Sequence, residues 1–503
     1  MSYVSEYVDA DLVRPKDLFA TLIDLRRQVD TEGRRLYESW APRIRRPFFH
    51  YSAWNLAQYL AMRSRDWRRI QEALVPWGLS SLGRTESRVL PSLDVVLHAL
   101  GALCGANRST LPPRPTLREF FLGHRLLRHQ TDAVFGRPPD HRWARIMVTM
   151  PTEAAENASF SPDLMRAGMD AIRITCAHDS RAEWQSMIRS TRVAAARMQR
   201  RCRVFMDLSG PKIRTGELVG SKSGKRLFDG DRFLLSRCPQ HKSDLPQVTL
   251  SLPEILDQIK VGADVWIDDG QWCATVEALA REGAILRVTQ TPPKGARLRS
   301  EKGLNFPDQV LKLASLTSKD LDDLDFALQH ADGVCYSFVN EPADVDAFLQ
   351  AVASRRRVGK RPVIVLKIET QRAVRNLPAL LVRSASIHPT AIMIARGDLA
   401  VEIGFERLAE MQEEILWLCE AAHVPVIWAT QVLERFVKKG TPSRPEMTDA
   451  AMSERAECVM LNKGPFIRQG VETLDRLLTQ MQRHTTKKTP KMHALRSWVE
   501  MVR

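Results

Sequence analysis

Eight short apolar runs separated by amphipathic stretches constrain this chain more than any other feature. They are RIMVTM (145–150), AIRIT (171–175), RVFMDL (203–208), DGVCYSF (332–338), VIVLKI (363–368), AIMIA (391–395), VPVIWAT (424–430) and CVMLN (458–462). Unbroken apolar runs of this length suit strands buried on both faces, as in a parallel sheet. Helix-period stretches such as SRAEWQSMIRSTRVAAARMQ (180–199) and LAEMQEEILWLCEAA (408–422) lie between most of them. Eight β-α units are what a (β/α)8 barrel requires, so the expected fold class is α/β, a TIM barrel. One gap, residues 209–331, is too long for a loop. Within it GDRFLLSR, PQVTLSL, ADVWIDDGQWCATVEAL and AILRVTQ read as short strands between Gly/Asp turns. A small β-domain is therefore expected after the third strand, on the face where such barrels carry their chemistry.

Upstream of the barrel the period changes. LFATLIDLRRQVDTEGRRLYESW (18–40), WNLAQYLAMRSRDWRRIQEAL (54–74) and SRVLPSLDVVLHALGAL (87–103) repeat apolar residues every three or four positions, with Pro, Gly and Ser between them. The expected organisation is a helical domain over 1–140, a barrel over 141–212 and 306–482, an inserted β lid over 213–305, and a basic tail over 483–503. A chain of 503 residues has room for these units. No run is long enough to span a bilayer. The acidic, apolar-poor start MSYVSEYVDADLVRP lacks the marks of a signal peptide, and the eight cysteines form no CxxC pair. A cytoplasmic protein with reduced thiols is expected. The net charge of +15 is spread along the chain, with TTKKTPK (485–491) its one concentrated run. A basic solvated surface explains this better than nucleic-acid binding, for which no motif is present. A homo-oligomer is compatible with the sequence.

Charge appears abruptly where two of the runs end, at Lys367 and Glu369 in VIVLKIET and at Asp398 in AIMIARGDLAVEI. Strand ends line the rim of a barrel, where its active site is built. Two carboxylates from neighbouring strands suit Mg²⁺, and a lysine beside them suits a phosphate.

The segments around these residues resemble those of pyruvate kinase, in the same order, over roughly 145–475. AGMDAIRITCAHD (167–179), MDLSGPKIRTG (206–216), WIDDG (266–270), SEKGLNFPD (300–308), LKIET (366–370), MIARGDLAVEI (393–403), WATQVLE (428–434) and TPSRPEMTDAA (441–451) are similar to that family's signatures. The family's plan is a (β/α)8 barrel with a β-domain inserted after strand three. The resemblance implies phosphoryl transfer between phosphoenolpyruvate and ADP, giving pyruvate and ATP. It implies Mg²⁺ or Mn²⁺ on Glu369 and Asp398, and Lys367 at the transferring phosphoryl group. Thr430 would help protonate the enolate carbon. The amides of Ala395, Arg396 and Gly397 would take the substrate carboxylate. Arg173 and Arg214 would hold phosphates, with Lys212 beside them. His178, Pro151 and Lys302 would face the nucleotide.

The family's monovalent-cation site is eroded, leaving Thr175 and Asp207 and placing Ala177 where a serine is expected. Lys212 stands where potassium-dependent members carry Glu, and a tethered ammonium supplies the charge that K⁺ would bring. K⁺ is therefore not expected to be required. Ser209, the MPTEA turn (150–154), Thr370 and MLNKGP (460–465) depart from the family pattern on the acceptor side. Two alternatives follow, namely an enzyme of this family acting on another enolpyruvate or 2-oxo acid, or a silent barrel whose helical domain serves an interaction. The family's C-terminal regulatory domain has no counterpart before Arg503.

Overall fold

The structure is a computed structural model that describes residues 14–219, 226–239, 244–307, 309–355 and 361–490. The acidic start, the tail beyond residue 490 and Asp308 lie outside the described residues.

The eight runs form a closed, all-parallel barrel. Its first three strands are β1 (Arg145–Thr149), β2 (Ala171–Thr175) and β3 (Arg203–Asp207). Helices α7 (Phe160–Ala167) and α8 (Arg181–Arg197) connect them. The last five strands are β13 (Gly333–Tyr336), β14 (Val363–Ile368), β15 (Thr390–Ala395), β16 (Val426–Ala429) and β17 (Cys458–Leu461). β17 closes against β1. The outer ring is completed by α9 (Ser318–His330), α10 (Pro342–Arg355), α11 (Gln371–Ala385), α12 (Arg396–Ile403), α13 (Phe405–Ala421), α14 (Glu434–Lys439), α15 (Arg444–Met452) and α16 (Ile467–Met481). Local sequence starts these helices cleanly. Ser180 with Glu183, and Thr317 with Asp320, form capping boxes that satisfy the free N–H groups at the starts of α8 and α9.

Between β3 and α9 the chain makes the inserted domain. A seven-stranded sheet runs in the order β12 (Leu304–Asn305), β8 (Asp264–Ile267), β9 (Trp272–Ala280), β10 (Gly283–Gln290), β6 (Arg232–Ser236), β7 (Gln247–Leu250), β4 (Thr215–Val219). A second pair joins β5 (Arg226–Leu227) to β11 (Ala296–Arg297). Phe233, Leu235, Val248, Val265, Trp272, Val276 and Leu286 fill its own core, separate from that of the barrel. The domain leans on the barrel through the Asp268–Gly270 turn. A Cβ on Gly270 would come within 2.8 Å of the Val401 side chain on α12, which is why glycine, at φ +79°, occupies this contact.

The helical region comprises α1 (Pro15–Trp40), α2 (Phe49–Arg63), α3 (Arg68–Leu74), α4 (Val89–Cys104), α5 (Leu117–Phe120) and α6 (Leu122–Phe135). It is built onto the barrel. The last turn of α6 inserts Val134 and Phe135 among the inward-facing barrel residues Met147, Ala171, Phe205, Cys335, Val363, Ala391 and Cys458, closing the N-terminal mouth. Arg145, at the start of β1, is fully buried there. Its guanidinium donates to the carbonyls of Gly136 and Trp143 and pairs with Asp132 on α6. Elsewhere Asn55 donates to the Glu86 and Ala421 carbonyls and accepts from the Val89 N–H. Arg46 donates to the Ala385 and His388 carbonyls, supplying donors to the C-terminal end of α11.

The basic run is not a free solvated tail. After α16 the chain turns back as a hairpin, β18 (Thr485–Thr486) with β19 (Thr489–Pro490). Lys487, only slightly exposed, pairs with the buried Glu457, and Lys488 pairs with the buried Glu86. The sequence shows two lysines in a polar context. It does not show the buried carboxylates, placed by distant segments, that make an inward orientation favourable. All eight cysteines are free thiols. Among the described residues no helix is long and apolar enough to cross a membrane.

Candidate active site

The strand register brings the charged ends together. Leu366 on β14 is level with Tyr336 on β13, and Ile368 with Ile394 on β15. One residue beyond each pairing, Ser337 therefore flanks Lys367, and Glu369 flanks Ala395. On the other side Asp207 is level with both Thr175 and Cys335, and Arg173 with Thr149. Polar side chains that would be costly in the middle of a strand thus collect at one end of the barrel.

Lys367 is the centre of this group. Its ammonium donates to Ser337 Oγ at 2.7 Å and lies 3.1 Å from Glu369 Oε1 and 3.4 Å from Asp207 Oδ1. Burial opposes the charge, yet Asp207 and Glu369 outweigh it and hold the lysine pKa above its ordinary value. Asp207 accepts from Arg173 Nε at 2.6 Å. Burial alone would raise the Asp207 carboxyl, but Arg173 and then Lys367 hold it below the usual range. Arg173 also donates to Thr149 Oγ1 at 3.0 Å. Glu369 behaves oppositely. Burial raises its pKa and the like charge of Asp398 adds to the shift, while Lys367 and the Phe338 N–H, which donates at 2.6 Å, oppose it.

Asp398 sits in the first turn of α12 and receives Lys212 Nζ at 2.7 Å on Oδ1. The same ammonium lies 3.6 Å from Asp269 in the inserted domain. Helix α12 begins at Arg396, directly after β15. The Gly397 N–H donates to Thr430 Oγ1 at 2.9 Å. Thr430 holds a left-handed backbone, φ +62°, that a β-branched residue adopts only under constraint. The constraint is visible, since its hydroxyl takes the Gly397 amide and its carbonyl takes Arg396 Nη2 at 2.5 Å. A Cβ on Gly397 would meet only that hydroxyl, at 3.8 Å, so the glycine leaves open space beside the amide. The buried Arg396 guanidinium points away to pair with the part-exposed Asp449 and lies over the Trp428 ring.

The remaining sequence candidates are elsewhere on the rim. His178 is exposed, and Pro151 is buried before the turn at Thr152–Ala155. Those two turns adjoin, because Thr152 Oγ1 donates to Asp179 at 2.7 Å. The Thr175 hydroxyl accepts from the Ala177 N–H at 3.4 Å, within its own turn. Arg214 donates to the Glu301 carbonyl and Lys302 pairs with Asp268 at 2.7 Å, both within the inserted domain. Neither has a described contact with the Lys367 group. The sequence reading passed over Ser337, whose hydroxyl also donates to the Leu208 carbonyl at 2.7 Å, and Thr149. Both are polar residues at the ends of apolar runs, the signal that marked Lys367.

Glu369 and Asp398 form a donor pair suited to a hard divalent cation, since both are carboxylates and each is now matched by an ammonium. Among the described residues no group of three His, Cys, Asp or Glu side chains gathers to hold a metal. Any further oxygens at a two-carboxylate site would come from substrate or water.

This geometry agrees with comparison to known proteins. The family model for the barrel domain of pyruvate kinase matches residues 141–465. The chain belongs to the pyruvate kinase family. The pyruvate kinase of Agrobacterium vitis is 32% identical over 338 residues, covering 65% of this chain and 67% of that protein. That of Mycobacterium intracellulare is 30% identical over 341 residues, covering 66% and 69%. A Rattus norvegicus pyruvate kinase is 32% identical over 320 residues, covering 60% and 54%. The protein is thus a pyruvate kinase-like phosphotransferase. Helices α1 to α6 all precede the segment matched by the family.

Proposed function

We propose that this pyruvate kinase-family enzyme transfers the phosphoryl group of phosphoenolpyruvate to ADP, giving pyruvate and ATP. One observation carries the reading. A lysine ammonium is buried at the barrel rim between two carboxylates and a serine hydroxyl, next to a third carboxylate on a helix start. A charge held in place and shielded from water stabilises a developing enolate or a transferring phosphoryl group without reorganising.

Lys367 would face the transferring group, and Arg173, held by Asp207 and Thr149, would neutralise its phosphate oxygens. The amides of Ala395, Arg396 and Gly397 at the start of α12, the last of which donates to Thr430 Oγ1 here, would take the substrate carboxylate. Thr430 would stand over the enolate carbon, where a proton must be delivered. Glu369 and Asp398 would hold Mg²⁺ or Mn²⁺, which supplies Lewis-acid polarisation of substrate oxygens when bound. Lys212 would supply fixed positive charge in place of K⁺, and the monovalent-cation residues Thr175 and Asp207 serve other partners here. Pro151, His178, Arg214 and Lys302 would border the nucleotide. Free thiols throughout support a cytoplasmic setting.

The test is a lactate dehydrogenase-coupled assay with phosphoenolpyruvate, ADP and MgCl₂. Turnover dependent on all three supports the proposal, and none at any nucleotide would overturn it. A second reading is favoured by the location of Arg214 and Lys302, tied within the inserted domain away from the Lys367 group. In that reading the enzyme enolises a related 2-oxo acid without phosphoryl transfer. Metal-dependent deuterium exchange into pyruvate or oxaloacetate, with no ATP formed, would establish it instead.

A further inference from the structure

The turn directly after β13 grips two of the charged residues of β14 and its end. The Ser337 hydroxyl takes the Lys367 ammonium at 2.7 Å, and the next residue, Phe338, donates its N–H to Glu369 Oε2 at 2.6 Å. Ser337 is 1% exposed, so bulk water does not compete for the lysine on that side.

The hydroxyl points one way. Its single proton goes to the Leu208 carbonyl at 2.7 Å, closer than Asp207 Oδ1 at 3.3 Å. What it offers the ammonium is therefore a lone pair. The anchor is held in turn. Leu208 directly follows β3, and its N–H donates to the Cys335 carbonyl at 3.1 Å. Two residues on, Gly210 takes a left-handed backbone, φ +68°, with its N–H on Asp320 at 3.0 Å. A Cβ there would come within 2.9 Å of the Ser337 Cβ, so glycine lets this segment lie directly against the serine.

Lys367 has three N–H groups to place. Ser337 at 2.7 Å and Glu369 at 3.1 Å take two of them at ordinary hydrogen-bond distances. The third faces Asp207 at 3.4 Å, beyond that range, and Asp207 has a closer partner in Arg173 at 2.6 Å. The third N–H is the one that can turn to a phosphoryl oxygen at least cost.

We propose that Ser337 is a positioning residue for phosphoryl transfer. It acts through Lys367, holding the ammonium by one N–H so that the N–H facing Asp207 is presented to the transferring group. The role rests on the phosphoenolpyruvate reading above. Without the hydroxyl the ammonium keeps only its carboxylates and draws toward them, away from the place where charge develops.

Ser337→Ala and Ser337→Cys test this together, since the thiol fills the same space but accepts only weakly. In both variants kcat falls about tenfold or more, while the phosphoenolpyruvate KM changes by less than about twofold. In the Lys367→Met background Ser337→Ala causes no further loss of kcat, because the group it acts through is gone. An unchanged kcat, a change confined to KM, or a loss that adds in full to that of Lys367→Met would each overturn the proposal. Crystal structures of the wild type and Ser337→Ala give a readout without turnover. Lys367 Nζ is displaced by about 1 Å or more in the variant, and an ammonium found in its wild-type place overturns the assignment. A wild type with no phosphoenolpyruvate turnover would sink the reaction assigned to the site, and the two crystal structures would still decide whether Ser337 sets the lysine.

Discussion

The buried rim charges are mutually dependent, and this is where single substitutions act most strongly. Lys367 is 9% exposed, Glu369 2% and Asp207 1%, so removing one leaves another without its counter-charge. Lys367→Met removes an ammonium directed at the reacting group. It is expected to lower kcat by about 10²–10³-fold while phosphoenolpyruvate KM changes far less. Steady-state kinetics check this, and a loss confined to KM would assign the lysine to ground-state binding. Asp207→Ala acts first on the fold. Arg173 then keeps only Thr149 among its described side-chain partners, and Lys367 loses one of two carboxylates. An orphaned buried charge costs about 3–5 kcal/mol, which urea unfolding would show. Much of this site was legible in the sequence, because a charge ending an apolar run is conspicuous. Ser337 and Thr149 were not singled out, since a hydroxyl at a strand end is common and only the register shows which charged group it meets. Asp207 was read as a remnant cation ligand. Its pairing with Arg173 depends on which of two neighbouring strands the carboxylate turns toward.

The elements themselves follow closely from periodicity, and the eight runs are the eight barrel strands almost residue for residue. Docking between elements does not follow, because an apolar helix face does not name the surface it covers. The last turn of α6 is the clearest case. Phe135 is 1% exposed and packs against Phe205 with ring centroids 5.8 Å apart. Phe135→Ala would open a void in the barrel floor, at a cost of about 3–5 kcal/mol, measurable as a lower denaturation midpoint with kcat retained in the folded enzyme. The seam where α2 and the Ser87 turn meet the end of α13 makes a pH prediction. His423 is buried there, with Nε2 facing the Ser87 carbonyl at 3.0 Å and Nδ1 facing Ser52 Oγ at 2.9 Å. Burial lowers its pKa to about 4, so the folded state binds fewer protons than the unfolded, and stability is lost as pH falls from about 6.5 toward 4. Glu420 lies three residues before it. Burial raises its pKa to about 7, so the folded state binds more protons, and stability is gained as pH falls from about 7 toward 4.5. The two slopes oppose each other in the wild type. Glu420→Gln removes the second, so its melting temperature should fall more steeply than the wild type between pH 7 and 5. Parallel melting curves for the two proteins would refute this.

At the scale of the molecule, the inserted domain and the barrel are joined by charge. Lys212 leaves the barrel rim just before β4, and its ammonium rests on Asp398 of α12 at 2.7 Å and 3.6 Å from Asp269 of the inserted turn. The contact continues along α12, where Gly270 meets Val401 and Asn305 approaches Glu402 at 3.5 Å. One lysine thus supplies a fixed positive charge beside the candidate metal carboxylates and also helps seat the lid. A soluble monovalent cation in that position would bring the same charge but would have to be recruited from solvent. Turnover should therefore be insensitive to KCl, changing by less than about twofold when K⁺ replaces tetramethylammonium at constant ionic strength, a control that removes general screening. Lys212→Glu inverts the arrangement by placing a third carboxylate against Asp398 and Asp269. Repulsion then favours an open lid, and a cation is required to bring the acidic groups together. The variant should turn over slowly in tetramethylammonium and recover with K⁺, whereas Lys212→Gln should be slow in both. Strong stimulation of the wild type by K⁺ would show that the lysine does not replace the ion. A Lys212→Glu variant indifferent to K⁺ would show that the charge at this position serves the lid alone.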